Sequence, residues 1–198
     1  MEIRESDMLF SFHEDVAAVK YDDTTFYRER YNAIEGSKGV DIIADSAYAL
    51  YFVEVKNCEG SAESQDAWRR RYSGSRNMDD LASEIASKVA HTCACLAGVS
   101  TYGERNADAA SLLDFAAALH SANIASLEKK LLVFLYLEGD FSCKSRSNDA
   151  IYRELQNRIR KRLKWLNCRV SVVSTKTDHP RDYEVTQERR GIASSLRT

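Results

Sequence analysis

Residues 39–57 read GVDIIADSAYALYFVEVKN, two apolar runs around a short polar break. This is the pattern of a β-hairpin, and it restricts the fold more than any other stretch. A turn centred between Ser46 and Ala47 sets Asp41 opposite Phe52, with Glu54 as its diagonal cross-strand neighbour. Alternation then gives one face Asp41, Ile43, Leu50, Phe52, Glu54 and Lys56. The other face receives Val40, Ile42, Ala44, Ala49, Tyr51, Val53 and Val55. That second face is apolar throughout and must pack on another layer. The first is apolar near the turn and charged at its far end.

The rest of the chain supplies the layers. MLFSF (8–12) and VAAVKY (16–21) predict an N-terminal hairpin around the polar break His13-Glu14-Asp15. Asp22 and Asp23 offer an N-cap for a helix over 24–34, which Gly36 ends. Apolar residues at helical spacing (Leu81, Ile85, Val89, Leu96) predict a helix over 78–98, and a second is expected over 107–127. LLVFLYLE (131–138) is a continuous apolar run of strand length, suited to burial on both faces. A helix over 149–166 and an alternating strand over 168–175 follow. Strand, helix, strand implies parallel pairing through a right-handed crossover. The expected class is α/β, a mixed central sheet flanked by helices with an N-terminal hairpin. Residues 1–179 form one domain in this reading, and 180–198 a polar, loosely held tail.

Composition agrees. The 198 residues are 44% apolar and 29% charged, with one proline and eight glycines, which fits a single globular domain of long elements. A net charge of −2 excludes a uniformly basic surface but not a local basic patch. The five cysteines contain no CxxC pair, and His91, Cys93 and Cys95 are spaced so that one helix face cannot present all three. Free thiols in a reducing compartment are expected. No run reaches the roughly 18 apolar residues of a membrane span, and the acidic N-terminus has no apolar signal core. The expectation is a cytoplasmic protein without a membrane partner.

Two readings of the charged hairpin end are open. Asp41, Glu54 and Lys56 can be the solvated end of an amphipathic strand, tied by a weak salt bridge. Ile43, Leu50 and Phe52 on the same face argue instead for a cleft, covered at one end and charged at the other. Adjacent carboxylates repel unless a cation lies between them. Magnesium takes carboxylate oxygens with water and phosphate, and lowers the pKa of bound water. A neighbouring lysine positions that water or stabilises charge on phosphorus.

Asp41, twelve intervening residues, then Glu54-Val55-Lys56 closing an apolar strand resembles the PD-(D/E)xK nuclease superfamily. The resemblance implies a restriction endonuclease-like fold and metal-dependent hydrolysis of phosphodiester bonds in nucleic acid. It implies Asp41 and Glu54 as ligands of Mg2+ or Mn2+, with the Val55 backbone carbonyl as a further ligand and Lys56 as the catalytic lysine. Many members add a carboxylate from the helix before the Asp strand, a role open to Glu29 or Glu35. Val40 stands where the motif has proline, and residues 35–38 leave little room for the strand that usually precedes the Asp strand, a place the N-terminal hairpin can fill instead. The alternative is a catalytically silent binding or assembly module on the same fold. The chain has no evident specificity segment, which leaves room for a protein partner or a second copy beside the nucleic acid substrate.

Arg69, Arg70, Arg71 and Arg76 lie in a long polar stretch after the ExK strand, which reads equally as placed to touch nucleic acid or as a disordered loop. The basic helix 153–164 reads equally as a phosphate-binding face or a solvated one. Glu84 and Lys88 lie one helical turn apart; the resemblance implies a helix that often aims a polar residue at the site, and an ordinary i, i+4 pair is the plainer reading. Repulsion between Asp41 and Glu54 predicts that Glu54→Gln stabilises the metal-free protein.

Overall fold

The computed structural model describes residues 1–59, 75–142, 146–177 and 180–188. Its larger sheet has five strands: β3 (Ala17–Lys20), β4 (Ile42–Asp45), β5 (Ala49–Asn57), β6 (Lys130–Glu138) and β7 (Arg169–Val173), in that spatial order. The pairs β3·β4 and β4·β5 are antiparallel, while β5·β6 and β6·β7 are parallel, so the sheet is mixed. A smaller antiparallel sheet has the order β1 (Glu2–Glu5), β2 (Met8–Phe12), β8 (Tyr183–Gln187). The helices are α1 (Thr25–Glu29), α2 (Ser75–Tyr102), α3 (Leu113–Leu119), α4 (Ala122–Ala125) and α5 (Asn148–Arg162). The protein is α/β, as the sequence implies.

Three layers follow from the two-residue period of the strands. Ile43, Leu50, Phe52, Val133 and Leu135 pack with Leu81, Ile85 and Val89 of α2 and Ile151, Leu155 and Ile159 of α5. On the opposite face Ile42, Ala44, Tyr51, Val53 and Tyr136 pack with Met8, Phe10 and Phe12 of the small sheet. Both faces of the central sheet are therefore covered, which explains the unbroken apolar run of β6. Ser147 caps α5, its hydroxyl accepting the Ala150 N–H at 3.3 Å. Arg158 and Arg162 join α5 to α2 through Asp79, at 2.5 and 2.8 Å. Two cations of the basic helix thus serve helix–helix packing, a use the sequence reading did not consider.

Four expectations are corrected. The 8–12 and 16–21 runs do not pair with each other. Strand 8–12 turns back on β1 through Ser6 and Asp7, both at positive φ, and strand 17–20 joins the other sheet beside β4. The helix expected over 24–34 is a short α1 followed by a 3-10 turn at Tyr31–Ala33, and Asp22 and Asp23 lie in a 3-10 turn rather than at its cap. The helix expected over 107–127 is broken into α3 and α4, with Ser121 between them. Within the stretch expected as a tail, residues 183–187 form a structural strand, while 189–198 lie outside the described residues. Asp182 accepts hydrogen bonds from Ser46 Oγ at 2.5 Å and Tyr51 OH at 2.7 Å, and Tyr183 is fully buried.

The hairpin register differs from the expected one by two residues. Ile43 faces Phe52 and Asp45 faces Leu50. Ser46 causes this: its Oγ accepts the N–H groups of Tyr48 and Ala49, both at 3.1 Å, and its own N–H donates to Ala49 O. The turn is therefore centred one residue later. A shift of two preserves the faces, whereas a shift of one would have exchanged them. Val40 is the exception. It precedes the regular strand and packs on the helix side.

Candidate functional site

Asp41 is held from three directions. Its N–H donates to Val53 O at 3.0 Å, its carbonyl accepts the Tyr21 N–H at 2.8 Å, and its Oδ2 accepts the Val55 N–H at 2.7 Å. The preceding residues are fastened to α2, with Lys38 N–H on His91 Nδ1 at 3.0 Å and Val40 N–H on Thr92 Oγ1 at 3.1 Å. Gly39 is required by close packing: a Cβ there would lie 2.3 Å from Tyr21 Cε1. These bonds carry the backbone past Ile42, where the β4·β5 ladder ends, and hold the Asp41 carboxylate beside that of Glu54, with Lys88 reaching both.

Glu54 is almost fully buried, at 1% exposure. Lys88 Nζ lies 2.6 and 2.8 Å from its two oxygens and 3.4 Å from Asp41 Oδ1. Lys56 Nζ lies 3.1 Å from Glu54 Oε1 and 3.0 Å from Glu84 Oε1. Glu84 and Lys88 each cross from α2 to β5 or Asp41 for their close contacts, while the Lys88 charge still acts on Glu84. Three carboxylates and two ammoniums interlock, leaving a formal charge of −1 when all are ionised.

Burial dominates the titration of this group. It raises the Glu54 pKa to about 7, with the Asp41 charge adding to it and Lys88 and Lys56 opposing it. Asp41 is raised for the same first reason, against Lys88 and the Val55 N–H. For Lys56, burial pulls downward but Glu54 and Glu84 outweigh it, so the ammonium is held in its charged form. Lys88 follows the same balance, with Glu54 and Asp41 prevailing over burial.

The structure brings Asp41, Glu54 and Lys56 together on one sheet face. The Val55 carbonyl is directed the same way as its N–H, toward Asp41, because a strand residue's two backbone groups point to one side. Glu29 and Glu35 are exposed, and no contact joins either to the carboxylate pair among the described residues. The carboxylate near Asp41 is instead Asp22, whose Oδ1 is buried without a hydrogen-bond partner and whose pKa is raised by burial and then by Asp41. Arg69, Arg70 and Arg71 lie outside the described residues, and Arg76 is described only as backbone in the first turn of α2. His91, Cys93 and Cys95 go separate ways: His91 receives Lys38, Cys95 is buried in the helix-side core, and Cys93 packs at its margin.

Lys88 belongs to the site rather than to a helix-surface pair, the plainer of its two readings, and the signal that decides for the site is positional. Glu84, Lys88, His91 and Thr92 recur at helical spacing, forming a polar stripe on a helix whose other face is core. That stripe faces the charged end of β5.

The donor set suits a hard cation. Among the described residues no three His, Cys, Asp or Glu side chains converge as a metal-binding group, so the set is two carboxylates and a backbone carbonyl. Oxygen donors of this kind match Mg2+ or Mn2+. Lys88 Nζ occupies the bridging position between the carboxylates, on a flexible stem able to withdraw. No helix among the described residues is long and apolar enough to cross a membrane.

The model of a family of unknown function, DUF6661, matches residues 24–187, and the chain belongs to that family. The match spans Asp41, Glu54, Lys56 and Lys88, and runs to the end of β8. No curated protein and no solved structure matches.

Proposed function

We propose that this DUF6661 member is a metal-dependent nuclease of PD-(D/E)xK type, hydrolysing phosphodiester bonds in nucleic acid. The observation that carries the reading is the meeting of Asp41, Glu54 and Lys56 on one face at the end of β5, with Val55 bonded to Asp41. In this reading Asp41, Glu54 and the Val55 carbonyl hold Mg2+ or Mn2+, which when bound polarises the phosphoryl group and lowers the pKa of water. Lys56, held cationic by Glu54 and Glu84, stabilises negative charge developing on phosphorus rather than acting as a base. Lys88 neutralises the carboxylate pair until the ion arrives. Cytoplasmic location belongs to the same proposal.

One observation favours the alternative, a silent nuclease-fold module for binding or assembly. Lys88 already satisfies both carboxylates, as a protein that had dispensed with metal would require. The two readings separate in one experiment: calorimetric titration with Mg2+ and Mn2+, and cleavage of DNA and RNA, single- and double-stranded. The nuclease reading expects binding and cleavage, and expects Lys56→Ala to keep the ion while slowing cleavage ~100-fold or more. A wild type that binds neither ion and cuts nothing leaves the module.

A further inference from the structure

A row of aromatic rings runs alongside the carboxylate pair. The Tyr21 and Tyr27 centroids are 5.0 Å apart, Tyr27 and Tyr31 stack at 6.2 Å with planes 29° apart, and His91 meets Tyr31 edge-on at 6.3 Å. Tyr21 is fully buried, so packing alone explains it. Tyr27, Tyr31 and His91 are half-buried and reach the surface.

The row is fixed to the site at two points. The Tyr21 and Tyr27 rings lie over the backbone of Gly39, two residues before Asp41, where an added Cβ would be 3.1 Å from Tyr27 Cε2. His91 stands one helical turn beyond Lys88 on α2, and its ring is oriented by the Lys38 N–H. Burial raises the Tyr27 pKa and the Lys88 charge opposes that rise, so this hydroxyl lies within the field of the site. The exposed Lys38 ammonium acts on Glu84, at the same mouth.

Half-exposed rings with an exposed cation beside them are the two components of a single-strand binding surface, the rings stacking on bases and the cation following the backbone. A base within a duplex has both faces covered by its neighbours and must be extruded before a side chain can stack on it. We propose that Tyr27, Tyr31 and His91 are a stacking platform, and that the substrate presented to Asp41 and Glu54 is single-stranded nucleic acid. The inference rests on the nuclease reading and narrows its substrate.

Fluorescence anisotropy in EDTA tests it without cleavage, using a labelled oligothymidylate, an abasic oligomer of equal length and a blunt duplex. Tyr31 packs partly on the core, so the variants are Tyr31→Leu, which keeps apolar bulk without a ring, and Tyr31→Phe, which keeps the ring. The expected result is tight binding of the oligothymidylate, weakened about tenfold or more by Tyr31→Leu and restored by Tyr31→Phe. The abasic oligomer should bind weakly and equally to all three proteins. Equal losses for abasic and base-bearing oligomers, or a duplex bound at least as tightly as the single strand, overturn the platform and leave the nuclease reading intact. A protein that binds none of the three overturns the platform, and the nuclease reading then stands or falls on the metal titration and cleavage assay.

Discussion

Replacing Lys88 by methionine probes the site most directly, because it deletes the ammonium and keeps the stem. Lys88 makes contacts of 2.6 and 2.8 Å to a carboxylate that is 1% exposed, and one of 3.4 Å to Asp41. Removing one partner of a buried ion pair ordinarily costs about 3–5 kcal/mol. Here the loss is capped, since Glu54 can take up a proton instead. Its pKa in the intact site is about 7, so at pH 8.5 protonation costs ~1.36 kcal/mol for each of ~1.5 pH units, or about 2 kcal/mol. At pH 6 the side chain is already mostly protonated and the cost falls below ~1 kcal/mol.

For a chain of this size about 2 kcal/mol corresponds to a fall in melting temperature of ~4–8 °C. Scanning calorimetry in EDTA should therefore show Lys88→Met melting below wild type by that margin at pH 8.5, the gap closing toward pH 6. Magnesium at about 100 times its Kd returns ~2.7 kcal/mol, so at pH 8.5 it should restore the variant. It should stabilise the variant more than the wild type, where the ion must displace an ammonium. A variant as stable as wild type at pH 8.5 would refute the ion-pair argument. One that is destabilised yet indifferent to magnesium and manganese would refute the metal site.

Glu54→Gln bears on pH dependence. The folded pKa lies above the ordinary 4.5, so the folded state holds this proton more firmly; stability from the group is full below pH ~4.5, falls as pH rises toward 7, and is then constant, a span of about 3 kcal/mol. Urea denaturation without metal should show Glu54→Gln gaining on wild type by about that amount between pH 4.5 and 7; parallel curves would count against it. Gly39→Ala should destabilise by ~1–3 kcal/mol through overpacking, because the new Cβ would lie 2.3 Å from a fully buried Tyr21 ring. An unchanged urea midpoint for Gly39→Ala would show that the aromatic row yields.

The central sheet was legible because its strands announce themselves through apolar runs whose length and alternation admit few alternatives. The hairpin faces survived an error in the turn because parity, not the turn centre, decides which side chains share a face. In the small sheet β2 was legible as a strand, but its two partners were not, for the opposite reason. β1 reads EIRE, with one buried residue, Ile3, and β8 reads YEVTQ, with Tyr183 alone fully buried. Such strands take their stability from covering the sheet beneath them, a long-range effect that a local window does not contain. Ser121, between α3 and α4, was likewise hidden in a segment whose overall composition suits a helix.

At the site the sequence revealed the donors but not their environment. A D…ExK spacing constrains Asp41, Glu54 and Lys56 because a hairpin fixes where they stand. Nothing comparable fixes Lys88, which meets them from α2 across more than thirty intervening residues. Its arrival changes the physics of the pair. Two carboxylates alone would be governed by mutual repulsion, whereas with Lys88 between them burial is the largest influence on Glu54 and the Asp41 charge comes second. The consequence for Glu54→Gln is that removing the charge relieves a desolvation cost more than a repulsion. Its effect should therefore persist when Asp41 is itself neutralised: measured against Asp41→Asn, the double variant Asp41→Asn/Glu54→Gln should show most of the change in pH dependence that Glu54→Gln shows against wild type.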